Sequence, residues 1–166
     1  MGVDYATGKN GLPKDLIKAE ELLKRSYDLG YSHAAYNLYQ LHLSKHVPDE
    51  VLMRQYLEEG ARRGYPACMS VLADIAVQSG NHEESTRLWM TAARLGEDHA
   101  IHNLMISYQN KVLSKDDLAT TLRAHKAAND TRKTVPREYA IRLNAFKEKM
   151  ISTGKMKLVG NEDKRK

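Results

Sequence analysis

A chain of 166 residues with 42% hydrophobic and 28% charged content has the make-up of one folded domain with a continuous core, which excludes global disorder. No stretch approaches the roughly 18–20 uninterrupted apolar residues of a membrane helix, the start MGVDYATGKN lacks the apolar segment of a secretory signal, and the lone Cys68 rules out a disulfide framework. The net charge of +5 is uneven: residues 1–122 carry 13 Lys and Arg against 16 Asp and Glu, and residues 123–166 carry 13 against 5, so a mildly acidic body precedes a basic end.

Three segments align with one another: YDLGYSHAAYNL, ARRGYPACMSVL and ARLGEDHAIHNL, anchored on Gly30, Gly64 and Gly96 at spacings of 34 and 32 residues. Four positions after each glycine stands a small residue (Ala34, Cys68, Ala100), and eight after it a leucine (Leu38, Leu72, Leu104). Seven before it stands a large apolar residue (Leu23, Leu57, Trp89). A glycine that closes an apolar-periodic run ends a helix in the left-handed conformation, where a side chain costs about 1 kcal/mol or more. Just beyond the glycines, Ser32 and Asp98 are expected to cap the next helix, and Pro66 suits a first helical turn. The small residues let paired helices approach, and the leucines fill the shared interior.

In chain order the pattern predicts helices over 13–29, 32–46, 49–63, 66–79, 82–95, 98–112, 115–133 and 136–152. Val47-Pro48-Asp49, Ser79-Gly80-Asn81 and Leu113-Ser114 punctuate them, and no alternating β-branched run suggests a strand. The fold class expected is all-α, an αα-hairpin solenoid.

Tyr5, Gly8, Gly11, Asp15, Lys18 and Ala19 follow the order Tyr-x-x-Gly, Gly, Asp, Lys-Ala. They lead into Ser26-Tyr27-Asp28-Leu29-Gly30 and then Ala34-Ala35-Tyr36-Asn37-Leu38. Leu88-Trp89 with Ala92-Ala93 and Gly96 repeats the theme. Over residues 5 to about 112 this resembles the Sel-1-like repeat family. The resemblance implies a right-handed, tetratricopeptide-like stack that acts as an intracellular scaffold. Departures fall in the middle unit, where Ala61-Arg62-Arg63-Gly64 keeps one of two alanines, and at Tyr39, Ala73 and Met105, where the family has glycine. Looser helix contact is expected at those points.

The segment around Leu118, Leu122, His125 and Pro136-Arg137-Glu138 resembles the terminal helices of algal Sel-1-like proteins. The expected organisation is a solenoid over 1–112, capping helices over 113–152 and a basic flexible tail over 153–166. The first repeat reads as incomplete, which leaves Leu16, Leu22 and Leu23 facing a missing helix and suggests self-association through that end, or a truncated repeat fragment.

The chemistry-bearing residues are few. Among seven histidines, His42 and His46 stand four apart, and His99 and His102 three apart; two ligands without a third at fixed spacing do not make a metal site. Cys68 reads as a small buried residue because its counterparts are alanines. Glu20-Glu21, Glu58-Glu59 and Glu83-Glu84 read as solvated helix surface, and neither phosphate-loop motif occurs. No metal, cofactor or catalytic set is expected, so a hydrolase is the alternative reading and not the leading one. The basic tail, ending Lys164-Arg165-Lys166, lacks aromatics for stacking on bases, so nucleic acid is not the expected partner. Cytoplasm is the expected compartment, with nuclear import through the tail left open.

The expected function is a scaffold that holds a peptide of another protein in a concave groove lined by the first helix of each pair. By repeat phase and analogy with such solenoids, the groove takes His33, Tyr36, Asn37 and Gln40, then Ala67, Ser70, Val71 and Asp74, then His99, His102, Asn103 and Ile106. Asn37 and Asn103 are equivalent, and each either offers its amide to a peptide backbone or bonds the neighbouring helix.

Overall fold

Residues 1–152 are described by a computed structural model, and among them eight helices form with no strand. They are α1 (Gly2–Thr7), α2 (Leu16–Asp28), α3 (Ser32–Leu43), α4 (Glu50–Arg62), α5 (Pro66–Gln78), α6 (His82–Arg94), α7 (Asp98–Gln109) and α8 (Lys115–Ser152). The expected basic tail, 153–166, lies outside the described residues. One compact unit spans Met1–Lys126, and a second begins at Ala127 and contains the remainder of α8. Within the first unit each helix from α1 to α7 packs on the next in sequence, and α3 also touches α5.

Side chains start the even-numbered helices. Asp15 accepts from the Lys18 amide at 2.9 Å, Asp49 from Leu52 at 2.9 Å, Asn81 from Glu84 at 3.2 Å and Ser114 from Asp117 at 3.1 Å. Each bond satisfies one amide that the first helical turn leaves without a partner. These caps stand 34, 32 and 33 residues apart.

The odd-numbered helices α3, α5 and α7 begin differently. Gly30, Gly64 and Gly96 lie at φ +89°, +81° and +89°, and the residue after each sends its amide back into the preceding helix: Tyr31 to Ser26, Tyr65 to Gly60 and Glu97 to Ala92, at 2.9–3.2 Å. That closure satisfies the last carbonyls of one helix and launches the next within two residues. Tyr31 and Glu97, and not Ser32 and Asp98 as expected, therefore occupy the N-cap positions, and no side chain caps either helix. Ser32 and Asp98 come one residue too late, because their backbones are already helical.

The recurrent small residues Ala34, Cys68 and Ala100 are fully buried, as are Leu38 and Leu104. Leu72 departs from them and is half-buried. Leu23, Leu57 and Trp89 are buried as well. The core falls into two clusters, one around Ala19, Leu23, Leu38, Leu41 and Tyr56, the other around Trp89, Ala93, Leu104, Leu113 and Leu118. Between α2 and α4, Arg63 donates to the Tyr27 carbonyl at 2.7 Å and lays its guanidinium 4.4 Å from the Tyr27 ring centre.

Two expectations are corrected at the ends. Leu16, Leu22 and Leu23 do not form an open strip: α1 covers Leu23 so closely that a Cβ added to Gly2 would meet its Cγ at 2.9 Å, while Leu16 and Leu22 are half-buried. A glycine backbone is what permits that approach. The break expected between 133 and 136 is absent, since α8 continues through Pro136. Proline removes one amide hydrogen bond and disfavours a helix interior, which is the reason for expecting a break there.

Candidate functional site

Helices α3, α5 and α7 present the expected residues as two clusters. On α3, the Tyr36 ring lies 6.0 Å from Tyr39 and 5.8 Å from Tyr65, which precedes α5, and Gln40 Nε2 donates to the Tyr36 hydroxyl at 2.8 Å. Burial raises the pKa of the Tyr39 hydroxyl, with Tyr36 and Asp74 adding to it, and burial likewise raises that of Tyr65. Both phenols are therefore neutral donors at physiological pH.

The second cluster is centred on Asp74 of α5. Its Oδ1 accepts from Trp89 Nε1 at 3.2 Å and from Asn103 Nδ2 at 3.3 Å, and its Oδ2 lies 3.2 Å from His99 Nε2. Asn103 Nδ2 is also 3.2 Å from His99 Nε2. The Asp74 side chain remains 39% exposed, so the carboxylate is oriented from behind and open in front.

Of the expected groove residues, the structure therefore joins Tyr36 with Gln40, and Asp74 with His99 and Asn103. Asn103 bonds Asp74 of α5 through its amide nitrogen. Asn37 is half-buried, and its side chain has no hydrogen-bond partner among the described residues. His33 is exposed beside Tyr31, and His102 and Ile106 are exposed. Ala67 and Val71 are half-buried, and Ser70 is buried with its hydroxyl unpartnered among the described residues, so it does not line an open face. Sequence reasoning missed Tyr39, Tyr65 and Trp89. Tyr65 had a signal, its place directly after a helix-stopping glycine, where Tyr31 also stands.

Three cavities, of about 180, 380 and 240 Å³, open at corresponding places along this unit. Leu23, Leu57 and Trp89 each line one from the even-numbered helix. Opposite them stand Leu41, Ile75 and Ser107, with the exposed Ser44, Gln78 and Asn110 at the edge. Members of each trio are 34 and 32 residues apart, the spacing of the glycines. Asn37 lines the first cavity, Tyr39 the second, and Asn103 with Ile106 the third.

Elsewhere, two acidic residues expected on solvated surface are drawn into networks. Glu20 binds Lys24 and Lys45 at 2.8 Å each and approaches His42 Nε2 at 3.4 Å. Lys24 and then Lys45 hold the Glu20 carboxyl down at about 2, while burial lowers the pKa of His42, whose ring lies tilted, 5.6 Å from that of Tyr56. Glu59 is held at about 2 by Arg62 and Arg63. The reason is position: each lies where its helix faces the cationic end of a neighbour or of its own last turn. Cys68 is fully buried, and burial pushes its thiol up to about 12.

Among the described residues no three His, Cys, Asp or Glu side chains converge as a metal ion would require, and no helix is long and apolar enough to cross a membrane. Compared with known proteins, the chain matches no family profile and no curated sequence.

Proposed function

We propose that the chain is a protein-interaction scaffold, a right-handed αα-solenoid of the Sel-1-like, tetratricopeptide-related kind, that holds a peptide segment of another protein across α3, α5 and α7. Helix caps and left-handed glycines recurring at the same spacing support the repeat reading, together with packing between sequence neighbours. The observation that carries the binding reading is the Asp74 cluster. A carboxylate fixed by Trp89 and Asn103 yet left 39% exposed has its orientation set in advance, which lowers the cost of engaging a ligand.

A selection of displayed random peptides against the whole chain tests this reading, with the selected peptides then measured by fluorescence anisotropy. Peptides that bind, and that lose affinity on Tyr36→Ala or Asn103→Ala, support it. Failure to select any peptide, or binding indifferent to both substitutions in chains that keep their helical circular dichroism, overturns it.

A further inference from the structure

The recurrence of the three cavities bears on what such a peptide looks like, and the inference rests on the reading of α3, α5 and α7 as its groove. We propose that the bound segment is extended, places apolar side chains at every third residue into successive cavities, and sets a lysine or arginine against Asp74.

Spacing comes first. Helices in contact, as α3 and α5 are, stand about 8–10 Å apart. An extended chain of the polyproline II kind rises about 3.1 Å per residue and returns to the same face every three residues, so about three residues carry it from one cavity to the next with the side chain turned the same way. A helical ligand covers the same step in about five to seven residues. The edges of the cavities separate the two. Asn37 in the lining of the first, and Gln78 and Asn110 at the edges of the second and third, put an amide beside each apolar recess, with Ser44 at the first edge. An extended backbone has free N–H and C=O groups for those amides, whereas a helix has already bonded its own.

Charge fixes the second element. Trp89 and Asn103, which both hydrogen-bond Asp74, line the third cavity, while Ile75, the next residue along α5, lines the second. Asp74 therefore stands between two recesses. Its neighbour His99 is charged only when protonated, and no lysine or arginine pairs with Asp74 among the described residues. A basic side chain passing between the second and third cavities meets an oriented, uncompensated carboxylate.

The same peptide selection tests the proposal through the sequences it returns and through two further variants. Asp74→Asn keeps the shape and the oxygen that Trp89 and Asn103 bond, and removes the charge. Ser107→Leu fills the third cavity with the kind of side chain that Leu41 and Ile75 supply at the equivalent positions. The expected peptides carry apolar residues three apart with one Lys or Arg between them. Asp74→Asn should weaken them about fivefold, and should leave unchanged the affinity of the same peptide with Gln for the basic residue. Moving one apolar residue of the synthetic peptide by a single position, which cannot unfold the protein, should also weaken binding. Peptides that need Tyr36 and Asn103 but show the apolar spacing of a helix, or ignore Asp74→Asn, overturn this inference and leave the groove standing. Peptides that ignore Tyr36 and Asn103 as well overturn both.

Discussion

Cys68 Sγ fills the space that a side chain on Gly60 would occupy: a Cβ built on Gly60 would overlap the sulfur and stand 3.1 Å from Ala35 Cβ. At the equivalent places in the following unit stand two alanines, Ala92 and Ala100, both fully buried in one cluster, so the middle unit has moved one heavy atom from one helix to the other. Close packing is kept by exchange, where the loss of an alanine suggested a looser contact. Gly60→Ala should therefore destabilise by about 1–3 kcal/mol although alanine is the better helix former, because the overlap exceeds the propensity gain. In Gly60→Ala/Cys68→Ala much of that loss should return, with a coupling of about 1 kcal/mol or more in a double-mutant cycle measured by urea denaturation. Additive effects would mean that the two residues do not share the space.

The same burial makes Cys68 chemically inert. With the thiol held at about 12, the thiolate that reacts with disulfide reagents is scarce at neutral pH, and the sulfur is out of reach. Thiol labelling of the native chain at pH 8 should be slower than that of the urea-unfolded chain by orders of magnitude, and its rate should follow unfolding. Rapid labelling of native protein would place Cys68 at the surface.

Gly64 and Lys111 occupy the same backbone region, at φ +81° and +59°, each just after a helix end. Nothing lies within 4 Å of a Cβ placed on Gly64, so the cost of a side chain there is conformational and not steric crowding. Substitutions should have opposite signs: Gly64→Val should destabilise by more than about 1 kcal/mol, and Lys111→Gly should stabilise by about 0.5–1 kcal/mol. Thermal melts of the two variants check this, and a lower melting temperature for Lys111→Gly would contradict it.

Acid should unfold the chain in two stages. His42 has a lowered pKa in the folded state, so its contribution is present above its ordinary 6.5 and is lost as pH falls through the depressed value. Glu20 and Glu59, held at about 2 against an ordinary 4.5, contribute fully above 4.5 and lose their contribution as pH falls toward 2. Melting temperature recorded from pH 7 to 2.5 should fall throughout. Glu20→Gln should flatten the lower part of the curve and steepen the part near pH 6, because the lost carboxylate had been raising the pKa of His42. A Glu20→Gln curve parallel to that of the parent would show that Lys24 and Lys45 do not hold the carboxylate in solution.

What could be read from the sequence was what single residues impose on their own backbone. Gly30, Gly64 and Gly96 mark left-handed helix ends, Asp49 and Asn81 mark helix starts, and the recurrent Ala34, Cys68 and Ala100 mark the buried side, because each effect acts within one turn of chain. Periodicity also placed Tyr36, Asp74, His99 and Asn103 on one set of helices. It could not say that Asp74 would be gripped by Trp89, that Ser70 would turn inward, or that Gly60 would make room for Cys68. Those relations join residues 8 to 29 positions apart on different helices, and they depend on axial rotation and shift between helices, to which no single residue is bound. The three cavities belong to the same class, since a recess is the volume that neighbouring helices fail to fill, and only their packing determines it.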